Sequence, residues 1–346
     1  MRMVYLSEAI SNVLAERSGV GGAVEHIEFI HHSHCAVYRV RVGGNRLIVH
    51  LDRHGPHYLE RVRRNLNQLA EVADGSIPRV IAWESHDDWA LLAYREIPGE
   101  ELNSRNAVPA ALDSLADLLF RIHSLPLGGE SFRSSVLSVD DPAAFPAFSE
   151  QFLARISDLP LSVERIRRHL DQMAGYLKDY AEEFRVPRRP IHGDLHRSNV
   201  IVSGSRVGLV DWADLAAGDY AFDLATLKFV LDSIVPRQSL DFIRRRALQY
   251  RERFNDRGLE VRLRYYLALA GLVRAFHCAG DIVAFRAGRA WRARACYLHS
   301  EYEWAHPLRL DGPTAAVRPA RTEDWALDIR QPIRGLFYLL APKRVS

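Results

Sequence analysis

The sequence predicts an α+β protein of two lobes, a small antiparallel sheet carrying one helix and then a larger, mainly helical lobe. Three observations predict it. At 346 residues the chain is longer than one hydrophobic core usually fills. Alternating β-branched runs dominate up to Arg95, whereas apolar residues at helical spacing dominate after Gly99. Between the two, Ile97-Pro98-Gly99 must interrupt regular structure. At 48% hydrophobic and 26% charged, the composition is that of a folded globular chain rather than a disordered one.

The elements follow in order. Residues 7–18 are predicted as a short helix. Strands are predicted at Val24–Ile30, Ala36–Val42 and Arg46–Leu51, the last two joined by a Gly43-Gly44-Asn45 turn of hairpin type. Leu59, Val62, Leu66 and Leu69 recur at helical spacing within Tyr58–Val72. Strands at Arg79–Trp83 and Trp89–Arg95 complete the small lobe. After the break, Leu112, Leu115, Leu119 and Ile122 form an apolar stripe that Pro126 ends. Leu127–Asp141 reads as loop, with helical patterns near 145–158 and 162–184. Asn199–Val202 and Val207–Val210 flank Ser203-Gly204-Ser205 as a small hairpin, and helices resume from about 220 to 303. The predicted domains are a small lobe at 1–96 with a hinge at 94–99, a helical lobe at 100–305, and a proline-punctuated extension at 306–346.

Charge and cysteine content narrow the class. The 46 basic and 43 acidic residues leave no broad basic face for nucleic acid, and no run of residues is apolar and long enough to span a bilayer. The N-terminus carries no signal-like apolar segment. Cys35, Cys278 and Cys296 form no paired framework, which predicts reduced thiols and a cytoplasmic protein. Only Lys178, Lys228 and Lys343 are lysines, so the first 177 residues contain none.

The chemistry is concentrated in Pro190-Ile191-His192-Gly193-Asp194-Leu195-His196-Arg197-Ser198-Asn199, followed by Val210-Asp211-Trp212-Ala213-Asp214. Phosphoryl transfer needs a carboxylate that orients the attacking hydroxyl, and oxygen ligands for the magnesium that bridges the nucleotide phosphates. In an H-x-D-x-x-x-x-N loop with a later strand-end Asp, Asp194 is the candidate catalytic carboxylate, and Asn199 and Asp211 the candidate metal ligands. Polar residues so placed beside apolar strands are costly unless they serve a purpose; the bland alternative is that they are turn residues. Arg197 either faces the transferred phosphoryl or is solvated. Asp214 either supports the metal or caps an exposed turn. Asp219 and Asp223 open a helix and read as caps and loop anchors rather than catalysts.

These segments resemble the aminoglycoside phosphotransferase and choline kinase family, small-molecule kinases of protein-kinase-like fold. The resemblance extends to Gly218-Asp219-Tyr220-Ala221-Phe222-Asp223, to Leu91–Glu100 as the interlobe hinge, and to Ile122-His123-Ser124-Leu125, covering roughly residues 24–235 in order. It implies a Mg²⁺-dependent transfer of the γ-phosphoryl of ATP or GTP to a hydroxyl of a small molecule. The first expectation for that acceptor is an aminoglycoside or another hydroxylated antibiotic. A metabolite such as choline, an amino alcohol or a sugar is the second, and an inactive kinase-fold binding module is the alternative of another class. It also implies that His192 braces the loop, and that Tyr94, Glu96 and Ile97 line the nucleotide at the hinge.

The chain departs from the family in the small lobe. His31-His32-Ser33-His34 stands where small residues usually cover the nucleotide, which makes His34 a candidate contact. Strand alternation puts Arg46, Ile48 and His50 on one face. His50 therefore falls where the family has a phosphate-gripping Lys or Arg, with Ile48 as roof over the base and Glu60 as its helix partner. Such a grip would depend on pH, because an unperturbed imidazole titrates near pH 6.5. His32, His34 and His50 also read as an incomplete zinc set, lacking a fourth ligand.

Overall fold

The computed structural model describes residues 10–11, 14, 24–32, 35–72, 74–126, 133–134, 143–156, 162–280 and 288–311. They fall into two compact units. Of these described residues, one unit contains those up to Ile122 together with Ser198–Ala213; the other contains those of His123–Arg197 and from Asp214 to Asp311.

The first unit is built on an antiparallel five-stranded sheet. Strands β1 (Val24–His32), β2 (Ala36–Val42) and β3 (Asn45–Asp52) form a meander, and β4 (Val80–Ser85) with β5 (Ala90–Arg95) completes the order β1-β2-β3-β5-β4. The β2–β3 turn places Gly43 and Gly44 both at positive φ, +50° and +76°, the two-residue hairpin geometry that suits the right-handed twist of the strands. Alternation then sorts the faces. Val40, Val42, Leu47, Val49, Leu51, Leu91 and Ala93 are buried in one cluster with Ile10 and Leu14. Each side chain of this kind contributes roughly 1.5–3 kcal/mol when fully buried. Arg39, Ile48, His50 and Tyr94 lie on the opposite face, with Ile48 paired to both Arg39 and Tyr94 in the register.

Helix α1 (His57–Gln68) begins after Pro56 and buries Leu59, Val62 and Leu66, the predicted stripe, and also Asn65. Helix α2 (Pro109–His123) carries the stripe from Leu112 to Ile122. The unit is completed by a three-stranded sheet in the order β10-β9-β6, formed by β6 (Glu100–Glu101), β9 (Val200–Ser203) and β10 (Arg206–Leu209). The hairpin predicted from sequence thus joins a strand that begins just past the hinge.

The second unit is helical: α3 (Phe145–Ile156), α4 (Val163–Asp179), α5 (Tyr220–Ile234), α6 (Pro236–Phe254), α7 (Leu259–Gly280) and α8 (Gly288–Ala305). A small sheet in the order β7-β11-β8 joins them, from β7 (Arg133–Ser134), β8 (Arg189–Ile191) and β11 (Ala216–Gly218). Helix α5 is apolar nearly all round, because α6 and α7 both pack on it. The helical tract predicted from 220 to 303 is divided by Pro236 at the start of α6 and by Asn255, whose left-handed φ of +49° ends that helix. The predicted loop 127–141 lies outside the described residues except for Arg133–Ser134, as does most of 7–18 and everything beyond 311. Among the described residues no helix is long and apolar enough to cross a membrane.

Candidate active site

In the second unit, the loop after β8 is fixed by a carboxylate beneath it. Asp223, in the first turn of α5, is fully buried. Its Oδ2 accepts from the backbone N–H of His192 at 2.7 Å and its Oδ1 from that of Gly193 at 3.1 Å. Oδ2 also lies 3.0 Å from Nε2 of His123; since a carboxylate only accepts, that nitrogen carries the proton. Nδ1 of His123, which belongs to this second unit, is 2.8 Å from the Tyr250 hydroxyl on α6. Burial acts to raise the Asp223 pKa, but the bond and charge of His123, with His192, overcome it and hold the carboxyl below its ordinary value. Asp219 is the α5 cap, accepting from Ala221 N–H at 2.9 Å, and its other oxygen accepts from buried Arg262 at 2.6 Å.

Gly193 sits at φ +80°, and a Cβ built there would come within 2.5 Å of the Asp214 carbonyl oxygen. Only a residue without a side chain fits both constraints. Gly193→Ala is therefore expected to cost about 1–3 kcal/mol and to displace the residue that follows it, read as a lower urea midpoint together with lost activity.

That next residue is Asp194. Its N–H faces His192 Nδ1 at 3.4 Å, so the imidazole braces the turn from within. Its Oδ1 is 3.0 Å from Nη2 of Arg274 on α7, and its Oδ2 is 3.4 Å from Nε2 of His196. Burial pushes its pKa up, but the His196 hydrogen bond and the charges of Arg274, His196 and His192 hold the carboxyl well below the usual carboxylate range. Asp194 is an ionised, oriented hydrogen-bond acceptor. Arg197 follows, half-buried, at the start of a short 3₁₀ turn, Arg197–Asn199. Arg274 carries no local sequence signal, being 80 positions away from Asp194.

In the first unit, the hairpin register brings Asn199 and Asp211 to the same end. Val200 pairs with Leu209, and the Asn199 carbonyl accepts from Val210 N–H at 3.0 Å, so Asp211 lies one residue beyond that pair. Asn199 is buried, whereas Asp211 is exposed and adopts φ +61°, a left-handed conformation that Asp tolerates better than most residues. The next two residues are held by Asn65: its Nδ2 donates to the Trp212 carbonyl at 2.7 Å and lies 3.5 Å from that of Ala213. An amide residue and a carboxylate residue at one hairpin end offer hard oxygen donors of the kind Mg²⁺ takes, so their chemistry fits the ion.

The small-lobe expectations are altered by the contacts observed. Nε2 of His50 is 2.7 Å from the Tyr94 hydroxyl and Nδ1 is 3.4 Å from the Cys35 thiol. Burial, then the neighbouring His31, brings the imidazole down to about 4, so it is neutral at physiological pH. Burial, then Asp52 and Asp211, pushes the Cys35 thiol up to about 12, and burial with Asp211 also raises Tyr94. Hydroxyl, imidazole and thiol thus form a neutral hydrogen-bonded chain across the sheet, and the partial charge expected of a His50 phosphate grip is missing. Glu60 pairs with Arg63 at 2.7 Å, one turn along its own helix, in place of His50. Glu96 is clamped by Arg39 at 2.8 Å and Arg46 at 2.7 Å, while the Ile97 side chain packs against Gly208. Ile48 is half-buried on the same face as Tyr94. His34 and the His32 side chain lie outside the described residues.

A five-stranded sheet carrying one helix, a helical second unit, and a carboxylate loop followed by an Asn–Asp hairpin define a phosphotransferase of protein-kinase-like fold. The chain belongs to the phosphotransferase enzyme family, whose model matches residues 26–260. No curated protein sequence matches it. Among solved structures it is similar to an ethanolamine kinase from Plasmodium vivax, with a TM-score of 0.62 and 11% identity over 86% of this chain and 87% of that one. It is similar too to a thermostable mutant of an aminoglycoside phosphotransferase in ternary complex with AMP-PNP and hygromycin B, at TM-score 0.58 and 16% identity over 86% and 98%. A macrolide 2′-phosphotransferase from Brachybacterium faecium gives TM-score 0.54 and 19% identity over 84% and 97%. At these identities the likeness is one of fold.

Proposed function

We propose that this phosphotransferase moves the γ-phosphoryl of ATP or GTP to a hydroxyl of a small molecule, with Asp194 orienting the hydroxyl and Asn199 and Asp211 holding Mg²⁺. The observation that carries the reading is the β9–β10 register, which converges Asn199 and Asp211 on one hairpin end only five residues after a loop-held, ionised Asp194. The acceptor oxygen attacks the γ-phosphorus; the new O–P bond forms as the bond to the β–γ bridging oxygen breaks, and the nucleoside diphosphate leaves with that electron pair. Asp194 accepts the hydroxyl's hydrogen bond and aims it. Its lowered pKa makes it a weak base, which suits a loose transition state in which the proton leaves late. Mg²⁺, when bound, neutralises charge on the phosphate oxygens.

Charge beside Asp194 supports a choice of acceptor class. In a small amino alcohol the ammonium sits two carbons from the reacting hydroxyl, so it would approach Arg274 and His196. At about 5 Å, two like charges repel by roughly 3 kcal/mol at an effective dielectric of 20, and the Asp194 carboxylate offsets part of that repulsion. A larger hydroxylated natural product, of the antibiotic type acted on by two of the similar structures, can react through a hydroxyl remote from any amine. We therefore place such a compound first and a metabolite second. The test is incubation with ATP or GTP, Mg²⁺ and a panel including hygromycin B, a macrolide, a sugar and ethanolamine, read by mass spectrometry. One acceptor is expected to gain a single phosphoryl group with the native chain and none with Asp194→Ala. A panel extended across these classes that yields no phosphorylated product favours the non-catalytic binding module.

A further inference from the structure

We propose that Arg274 is a positioning residue for phosphoryl transfer, acting through Asp194 by fixing both its carboxylate and the backbone that follows. This rests on the reading of Asp194 as the acceptor-orienting group. One guanidinium nitrogen, Nη2, lies 3.0 Å from Asp194 Oδ1 and donates to the Leu195 carbonyl at 3.2 Å. A single guanidinium nitrogen therefore ties side chain and main chain of the loop together. The opposite carboxylate oxygen is addressed by His196, so each oxygen has its own partner and the plane of the carboxylate is set. An ionised carboxylate accepts about four hydrogen bonds, so the acceptor hydroxyl can join these contacts.

The support comes from a rigid element. Arg274 lies on α7, whose first turns are fixed by Arg262, fully buried between Asp219 and Asp256. Arg262 and Arg274 are twelve residues apart, roughly 18 Å along the helix at 1.5 Å per residue. Asp223 thus holds the start of the loop from α5 while Arg274 holds its middle from α7. A helix delivers a supporting group more reproducibly than a loop does, and transfer through a loose transition state depends mainly on such placement. Among the described residues, Arg274 from α7 and His196 and His192 from the loop itself face Asp194.

Arg274→Gln, Arg274→Lys, Asp194→Asn and the Arg274→Gln/Asp194→Asn double variant separate the outcomes. Steady-state kinetics on the acceptor found above are expected to show kcat about 10- to 100-fold lower in Arg274→Gln, as for removal of an outer-shell support, with nucleotide KM little changed. Arg274→Lys should recover part of the loss. Without the cation the Asp194 carboxyl titrates higher, so the acidic limb of kcat/KM should move to higher pH in Arg274→Gln. Urea midpoints read the pair without reference to activity, and the double variant should lose less than the sum of the two singles. Additive midpoints mean that the pair does not form in solution, and overturn the proposal while leaving the phosphotransfer reading intact. Non-additive midpoints with unchanged kcat and an unmoved acidic limb reduce Arg274 to a structural contact, which also overturns it. A native chain that phosphorylates no acceptor removes the reading on which the role rests, and the role with it.

Discussion

Asp211→Asn is expected to lower turnover about a thousand-fold, the several kcal/mol that a Lewis-acid metal supplies at about 1.4 kcal/mol per decade. The urea midpoint should hardly move. The two effects separate because Asp211 is exposed and sits just beyond the hairpin, so its side chain is not part of a core. Its left-handed φ of +61° would penalise most replacements, but Asn adopts that conformation as readily as Asp. What the substitution removes is one negative oxygen from the ligand set proposed for Asn199 and Asp211. Raising the Mg²⁺ concentration should recover part of the loss if affinity for the ion is what has fallen, and an isothermal titration with Mg²⁺ and nucleotide measures that affinity directly. A variant with full turnover would remove Asp211 from the metal site.

The contrast between Asp211 and Asn65 shows what the sequence made visible. Asp211 belongs to a continuous pattern, an Asp at the end of a short apolar strand with fixed spacing from Asn199, and local spacing is enough to find it. Asn65 lies among Leu59, Val62 and Leu66 with no local signal, because its partner carbonyl is 147 residues away. The same holds for Arg262 and Arg274: helices α5 to α7 advertise their apolar faces through periodicity, but a buried and a half-buried arginine that bond across 43 and 79 positions leave no periodic trace. The strands and the Gly43-Gly44 turn were legible because alternation and positive φ are properties of neighbours in the chain. The protonation state of His50 illustrates the converse. Its strand and face were readable, but its protonation state is set by Tyr94, Cys35 and burial, which the strand pattern does not encode. The absence of lysine from the first 177 residues remains informative, since it excludes a lysine from the strand position where the family resemblance implies a phosphate grip.

Asp223→Ala is expected to be the most destabilising single change in the second unit, at about 3–5 kcal/mol, the range for removing one partner from a buried charged network. The loss has a definite origin. Two backbone N–H groups, of His192 and Gly193, and the Nε2–H of His123 would all be left facing a cavity with no acceptor. The pH dependence gives the same residue a second signature. The folded-state pKa of Asp223 lies below its ordinary value, so its contribution is fully present above the unfolded value of about 4 and is lost as pH falls through the folded one. Urea midpoints of the native chain should therefore fall as the pH is taken from 5 to 3, and Asp223→Ala should flatten that fall. Activity should drop as well, because the loop that places Asp194 begins on those two N–H groups. If Asp223→Ala kept both the midpoint and the acid slope of the native chain, the carboxylate would not hold the loop in solution, and the placement of Asp194 would need another support.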